Sequence, residues 1–237
     1  MSINENWQRL YNFWKELSFE KAKEYHIICK EPIGERSKYI DEDNERLKNW
    51  VLFDREFQPA QTEEIVAIEN SLNVTLPQSY KESLLINAYE PHDNAFVYPW
   101  LGEWNIMNEP EDIIEQSMSN RELNYELFVD TKNLVKEDYK MWSDKWIVIF
   151  DWNYDYLVTM DLREEPQFYG KVLCMSLKDG TLAKWADSYE EWFSLVVDEV
   201  LEYGILRIST IEKILSNRKS LFAEITDLVY PLNRSSF

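Results

Sequence analysis

The side chains of this chain with the most chemical potential are carboxylates. Asp151, Asp155 and Asp161 flank two neighbouring apolar runs, Trp146–Phe150 and Tyr156–Leu162. Three oxygen donors so spaced could hold a divalent ion or work as an acid/base pair. Against this, Asp151 and Asp155 lie in DWNYD, a stretch that reads as a turn, and turns favour aspartate because its side chain bonds its own backbone. Nucleophiles and softer ligands are scarce, with only two histidines and two cysteines. His26 and Cys29 form an HxxC on a helical pattern, two ligands where zinc usually takes four. A helix-face histidine beside a buried cysteine is the simpler reading. His92 stands alone in the polar stretch EPHDN, so a Ser/His/Asp or Cys/His arrangement has little support. Neither GxxxxGK[ST] nor GxGxxG occurs, and five glycines leave little material for a phosphate cradle. The expectation is a non-enzyme with no catalytic residue, no cofactor and no metal.

Recognition chemistry is better represented. Glu103, Glu109, Glu111, Asp112 and Glu115 cluster in the chain, interleaved with or near Trp100, Trp104, Trp152 and Tyr154. A solvated helix face is the usual origin of such a charge run. Yet aromatic side chains beside charge are also the anchors that carry energy at interfaces. Glu103, Trp104, Glu111, Asp112, Glu115, Asp151, Trp152, Tyr154 and Asp155 are therefore the expected partner-binding residues.

The charge count sharpens this. The formal net charge is −19, from 25 Lys+Arg against 44 Asp+Glu. Residues 1–60 hold 12 acids and 10 bases, residues 61–204 hold 29 and 10, and residues 205–237 hold 3 and 5. The whole surplus lies in the middle segment. It exceeds the net charge of about 2–8 that suffices to keep a small domain soluble, and self-repulsion makes it costly to a compact state. So acidic a surface is repelled by nucleic acid and anionic lipid and suits a basic protein partner.

The 237 residues include 10 Trp, 14 Tyr and 11 Phe, enough for a real core and unlike a disordered acidic tail. Two cysteines make no disulfide framework, the start MSINENWQRLYNFWKEL lacks the features of a secretory signal, and no apolar run approaches a membrane span. A cytoplasmic protein is expected.

The positioning elements follow from periodicity and caps. Trp7, Leu10, Tyr11, Trp14 and Leu17 share one helical face, and a second helix is expected behind Asp41 with Leu47, Trp50 and Val51 inward. In the middle segment Thr62 is a candidate N-cap before EEIVAIENSL, and Pro77 and Pro110 each suit a first helical turn. Strands are expected at 104–107, 145–150, 156–162 and 171–177, with Lys178-Asp179-Gly180 turning into TLAKWAD. Ser188-Tyr189-Glu190-Glu191 is a capping box before WFSLVVDEVLEYG, with Gly204 closing that helix. Two further helices are expected around Ile208, Ile211 and Leu215 and from Leu221 to Val229. Helices, then consecutive strands, then helices describe an α+β fold with an antiparallel or mixed central sheet.

Three phrases in that order resemble the SUKH superfamily, the Smi/Knr-like proteins: LNVTLPQSYKESLL at 72–85, a tryptophan-led strand with DYLVTMDL at 155–162, and GKV at 170–172 with ADSYEEWF at 186–193. The resemblance covers roughly 61–204, which makes 1–60 and 205–237 helical extensions. Family members often carry a glycine-rich turn where this chain has Asp151-Trp152-Asn153-Tyr154. Membership implies an α+β fold without shared catalytic machinery, and it implies that Asp161 is a recurrent strand-end residue bonding backbone. Many bacterial members look like immunity proteins, which silence a cognate toxin domain, and fungal relatives act as interaction hubs. The charge proposes a basic protein partner, and the resemblance implies that this partner is a toxin to be neutralised; a monomer or weak homodimer is expected, and the alternatives are a regulatory scaffold or, third, a carboxylate-dependent metal enzyme.

Overall fold

The computed structural model describes residues 1–16, 58–88, 105–107, 109–127, 143–152, 156–177, 182–204 and 206–216. The helix expected behind Asp41, the pairs His26/Cys29 and Lys178/Gly180, His92 and the segment 221–229 lie outside them.

The aromatic spacing near the start forms helix α1 (Ile3–Glu16), which buries Ile3, Trp7 and Leu10. A cap that the sequence reading passed over starts it. Ser2 Oγ accepts from the Glu5 backbone N–H at 3.3 Å, and the Glu5 carboxylate takes the Ser2 N–H at 2.7 Å. Helix α2 (Thr62–Leu72) starts one residue earlier than expected: Gln61, not Thr62, is its N-cap, with the Glu64 carboxylate accepting from the Gln61 N–H at 2.6 Å. Asn73 closes α2 at φ 51°, a left-handed conformation that asparagine tolerates better than most residues. Pro77 then caps α3 (Gln78–Ile86).

The strands run in chain order: β1 (Asn105–Met107), β2 (Trp146–Trp152), β3 (Tyr156–Asp161), β4 (Lys171–Ser176) and β5 (Leu182–Ala186). Between β1 and β2 lies helix α4 (Pro110–Leu127), opened by Pro110 as expected. Each strand pairs antiparallel with its neighbours in sequence, giving a five-stranded meander. After β5 come α5 (Tyr189–Tyr203) and α6 (Ile208–Ser216). The architecture is α+β, an antiparallel sheet flanked by helices.

One irregularity in β2 shapes the packing. The register slips between Val148 and Phe150, so Ile149 is the extra residue of a β-bulge. A regular strand alternates faces, whereas a bulge sends two consecutive residues to one side. Ile149 and Phe150 accordingly both join the large core with α1, α2, α3, α5 and α6. Trp146, Val148 and Leu157, with Leu173 and Met175, form a second apolar cluster. In the first core Cys174 is wholly buried, and burial pushes its thiol far above the usual range.

Helix α5 confirms half of its expected capping box. Ser188 Oγ accepts from the Glu191 N–H at 3.1 Å, but the Glu191 carboxylate takes the Asp187 N–H at 2.8 Å, one residue further out. Gly204 ends the helix at φ 82°, donating its N–H to the Val200 carbonyl at 2.7 Å.

At the end of β3, Asp161 is fully buried and grips Arg163 through both oxygens, with Nη2 at 2.6 Å and Nε at 3.0 and 3.1 Å, while Oδ1 also takes the Arg163 backbone N–H at 3.1 Å. The guanidinium lies over Phe168, 3.8 Å from the ring centroid. A buried charge stripped of its partner is far costlier than the loss of both. Asp161→Ala is therefore expected to cost about 3 kcal/mol, and Asp161→Ala/Arg163→Met less than the sum of the two single changes. Urea unfolding of the four proteins measures this, and strict additivity would disprove the coupling.

Candidate partner-binding surface

Helix α4 carries the largest described group of the expected contact residues, and its position is set by buried polar chemistry. Val148 lies beyond Phe150, the last β2 residue that β1 pairs, and its N–H donates to Ser117 Oγ at 2.9 Å. Ser117 and Ile113 are fully buried on the inner side of α4. Residues 111, 112 and 115 follow at i, i+1 and i+4, which puts them together on the helix's first turns. Glu111 and Glu115 are exposed and Asp112 is half-buried.

The first turn of a helix welcomes negative charge, and the Glu109 backbone N–H also donates to the Asp112 carboxylate. Even so, partial burial first, then Glu115 and Glu111, raise the Asp112 carboxyl above its ordinary range. Burial first, and the neighbouring carboxylates second, thus outweigh what the helix end compensates.

The cations of the same segment are occupied elsewhere. Lys81 pairs with Glu69 at 2.6 Å, Arg163 with Asp161 at 2.6 Å, and Lys184 and Lys171 share Asp187 at 2.9 and 3.8 Å. Arg121 donates to the Leu72 carbonyl at 3.3 Å and Lys145 to the Asn73 carbonyl. Every described Lys or Arg of residues 61–204 therefore has an internal acceptor. These six basic side chains are held within the fold, while Glu111 and Glu115 are exposed.

The remaining candidates divide. Asp151 was read as a turn residue, but β2 runs on through Trp152, so Asp151 is a strand residue paired with Ile106 and Leu157 and only 8% exposed. Trp152 pairs with Asn105 and Tyr156 along the backbone. Glu103, Trp104, Tyr154 and Asp155 lie outside the described residues. Because Asn105 pairs with Trp152, the chain enters β1 and leaves β2 at one end of the sheet. Six residues separate Asn105 from Glu111, a reach of at most about 20 Å, within the span of one ordinary interface.

Of the three aspartates weighed as a metal or acid/base set, Asp155 lies outside the described residues, and Asp151 and Asp161 are not brought together. Asp151 lies opposite Leu157, four residues along β3 from Asp161, about 13 Å at the rise of a strand. Asp161 is committed to Arg163. Among the described residues no group of three or more His, Cys, Asp or Glu could hold a metal ion.

The recognisable phrases have a different task, which is to lock one loop. Leu76, buried beside Pro77, donates its N–H to Glu69 Oε1 at 2.8 Å. Tyr169 Oη donates to the Thr75 carbonyl at 3.1 Å, and Gly170, at φ 80°, packs where an added Cβ would lie 3.8 Å from Pro77. Lys145, just before β2, closes on Asn73 of the same loop. The first phrase, the β2 entry and the start of the third thus converge on residues 73–77. None of these contacts is an arrangement for catalysis.

A meander of five antiparallel strands with helices on its core face, a clamped LP loop and a capped helix after the last strand define the class. The SMI1/KNR4 family (SUKH-1) model matches residues 59–195, and the chain belongs to this family. No curated protein matches it. The family is generally non-catalytic, and membership is consistent with an immunity-type protein. Among the described residues no helix is long and apolar enough to cross a membrane.

Two carboxylates are expected to respond oppositely to acid. At Glu69, burial pulls the carboxyl up, but Lys81 and the Leu76 N–H outweigh it and hold it below the usual range. Its stabilising contribution is present above the unfolded carboxyl pKa of about 4.3 and is lost as pH falls through the lower folded value. Asp112, held above the usual range, has the reverse sign. It weakens the fold at neutral pH, and that penalty vanishes below about pH 3.9. Glu69→Gln is thus expected to lower, and Asp112→Asn to raise, the denaturation midpoint at pH 7, with both differences shrinking in acid. A midpoint shift of Asp112→Asn that is independent of pH would refute the second assignment.

Proposed function

We propose that this chain is a non-catalytic immunity protein of the cytoplasm that binds a cognate toxin domain and blocks its active site or substrate groove. The observation that carries the reading is the allocation of charge. The described cations of residues 61–204 are bound internally, while Glu111 and Glu115 project from a helix whose third acid, Asp112, is already crowded. A basic partner relieves that crowding. Toxins that cleave nucleic acids are suited to it, since their grooves must attract phosphate. Opposite fields steer encounter, raising on-rates towards ~10⁸–10⁹ M⁻¹s⁻¹ at low salt.

In this reading α4 supplies the steering charge through Glu111, Asp112 and Glu115. Glu103, Trp104, Trp152, Tyr154 and Asp155 are the candidates for the short-range contacts, since aromatics anchor interfaces and rim charges mainly set rates. Asp151, being buried, contributes to the field more than to contact. The protein acts as a monomer or weak homodimer and needs no cofactor.

Co-expression with the toxin encoded beside it tests the reading directly. Growth should be rescued and the two proteins should co-purify; continued killing without co-purification refutes it. Glu111→Gln/Asp112→Asn/Glu115→Gln should slow association severalfold at low salt, flatten its salt dependence and leave dissociation nearly unchanged. Stopped-flow or surface-based kinetics at several ionic strengths measure this, and unaltered on-rates would remove α4 from the interface.

A further inference from the structure

Helix α1 precedes the matched family segment, yet it fills a groove between α3 and α5. Trp7 is fully buried there, its ring 4.9 Å from Phe193, which stacks in turn on Tyr189 at 5.9 Å. Trp7 Nε1 donates to Ser83 Oγ at 2.9 Å. Ile3 and Leu10 are buried on the same side.

Three features distinguish this docking from ordinary core packing. The polar floor of the groove is paired with itself, since Ser83 Oγ and Tyr189 Oη lie 2.8 Å apart. Withdrawal of Trp7 therefore leaves neither hydroxyl alone, which avoids the usual cost of breaking a buried hydrogen bond. The inner side of α1 is imperfectly matched: Asn6 is fully buried, and its Nδ2 has no hydrogen-bond partner among the described residues. An orphaned buried donor weakens the docked state. Finally, the outer tie is the ion pair Arg9–Asp198 at 2.6 Å, with Asp198 57% exposed, and surface pairs of this kind contribute little.

We propose that the groove between α3 and α5 is a helix-binding site and that α1 is its resident intramolecular ligand, a strap that leaves and re-enters as a unit while the rest of the domain stays folded. Its recognition is an indole seated on Phe193 with its N–H on Ser83, flanked by Ile3 and Leu10. The proposal is independent of the acidic surface, which lies on α4.

The test uses the full chain carrying Trp7→Ala and a fluorescently labelled peptide of residues 1–16. The variant should retain cooperative unfolding and bind the peptide saturably, at least tenfold more tightly than the wild-type chain does, whose groove is filled. A peptide carrying the same Trp7→Ala change should bind at least tenfold more weakly. In the wild-type chain, α1 amides should exchange hydrogen at least tenfold faster than those of α5. Loss of cooperative unfolding in the variant, a folded variant that ignores the peptide, or equal exchange of α1 and α5 would each overturn the proposal.

Discussion

The hydrogen bond from the Val148 N–H to Ser117 Oγ is the contact on which the rest of the arrangement depends. Val148, beside the β2 bulge at Ile149, lies beyond Phe150, the last residue that β1 pairs, and its buried N–H must find an acceptor. Ser117 supplies it, which fixes α4 against β2 in rotation as well as position. The same bulge turns Ile149 and Phe150 together into the helical core. The Ser117 contact thus seats α4 and its acidic first turns, and the bulge beside it decides how the core is filled.

Much of this order was legible in the sequence. Proline before a helical pattern, apolar runs rich in β-branched residues and the Ser188 cap are local signals, and they placed α3, α4, the strands and α5 well. The misses have separate causes. The Ser2–Glu5 cap follows the same pattern as the one recognised at Ser188, and could have been found. Gln61 displaced Thr62 because the decisive bond comes from the Glu64 carboxylate to a backbone N–H, for which the identity of the cap residue matters little. Asp151 belongs to β2 because it pairs with Ile106 on one side and Leu157 on the other, a non-local pairing that no local composition announces. The partnership of Asp161 with Arg163 joins residues two apart, within reach of sequence reasoning but hidden by the alternation of a strand, whose end lies between them.

The candidate surface was legible as composition and only partly as geometry. Counting charges located the surplus but not its exposure. That followed only once Lys81, Arg121, Lys145, Arg163, Lys171 and Lys184 were each seen bonded to a carboxylate or a carbonyl. The LP loop shows the same division of labour. Tyr169 and Gly170 are far from Glu69 in the chain, and their convergence on residues 73–77 gives the recognisable phrases a scaffolding part.

The meander and α1 impose different demands on synthesis. Each strand pairs with the next in the chain, so the sheet can assemble from local contacts almost as it emerges. Trp7 has no such convenience. Its hydrogen-bond partner Ser83 is 76 residues away, and Phe193 appears only near the end. At about 5–20 residues per second, a ribosome needs roughly 10–40 s to deliver the second wall of the groove. For that interval Ile3, Trp7 and Leu10 are an apolar stripe without a home, and an element made before the sheet is among the last that can be put in place.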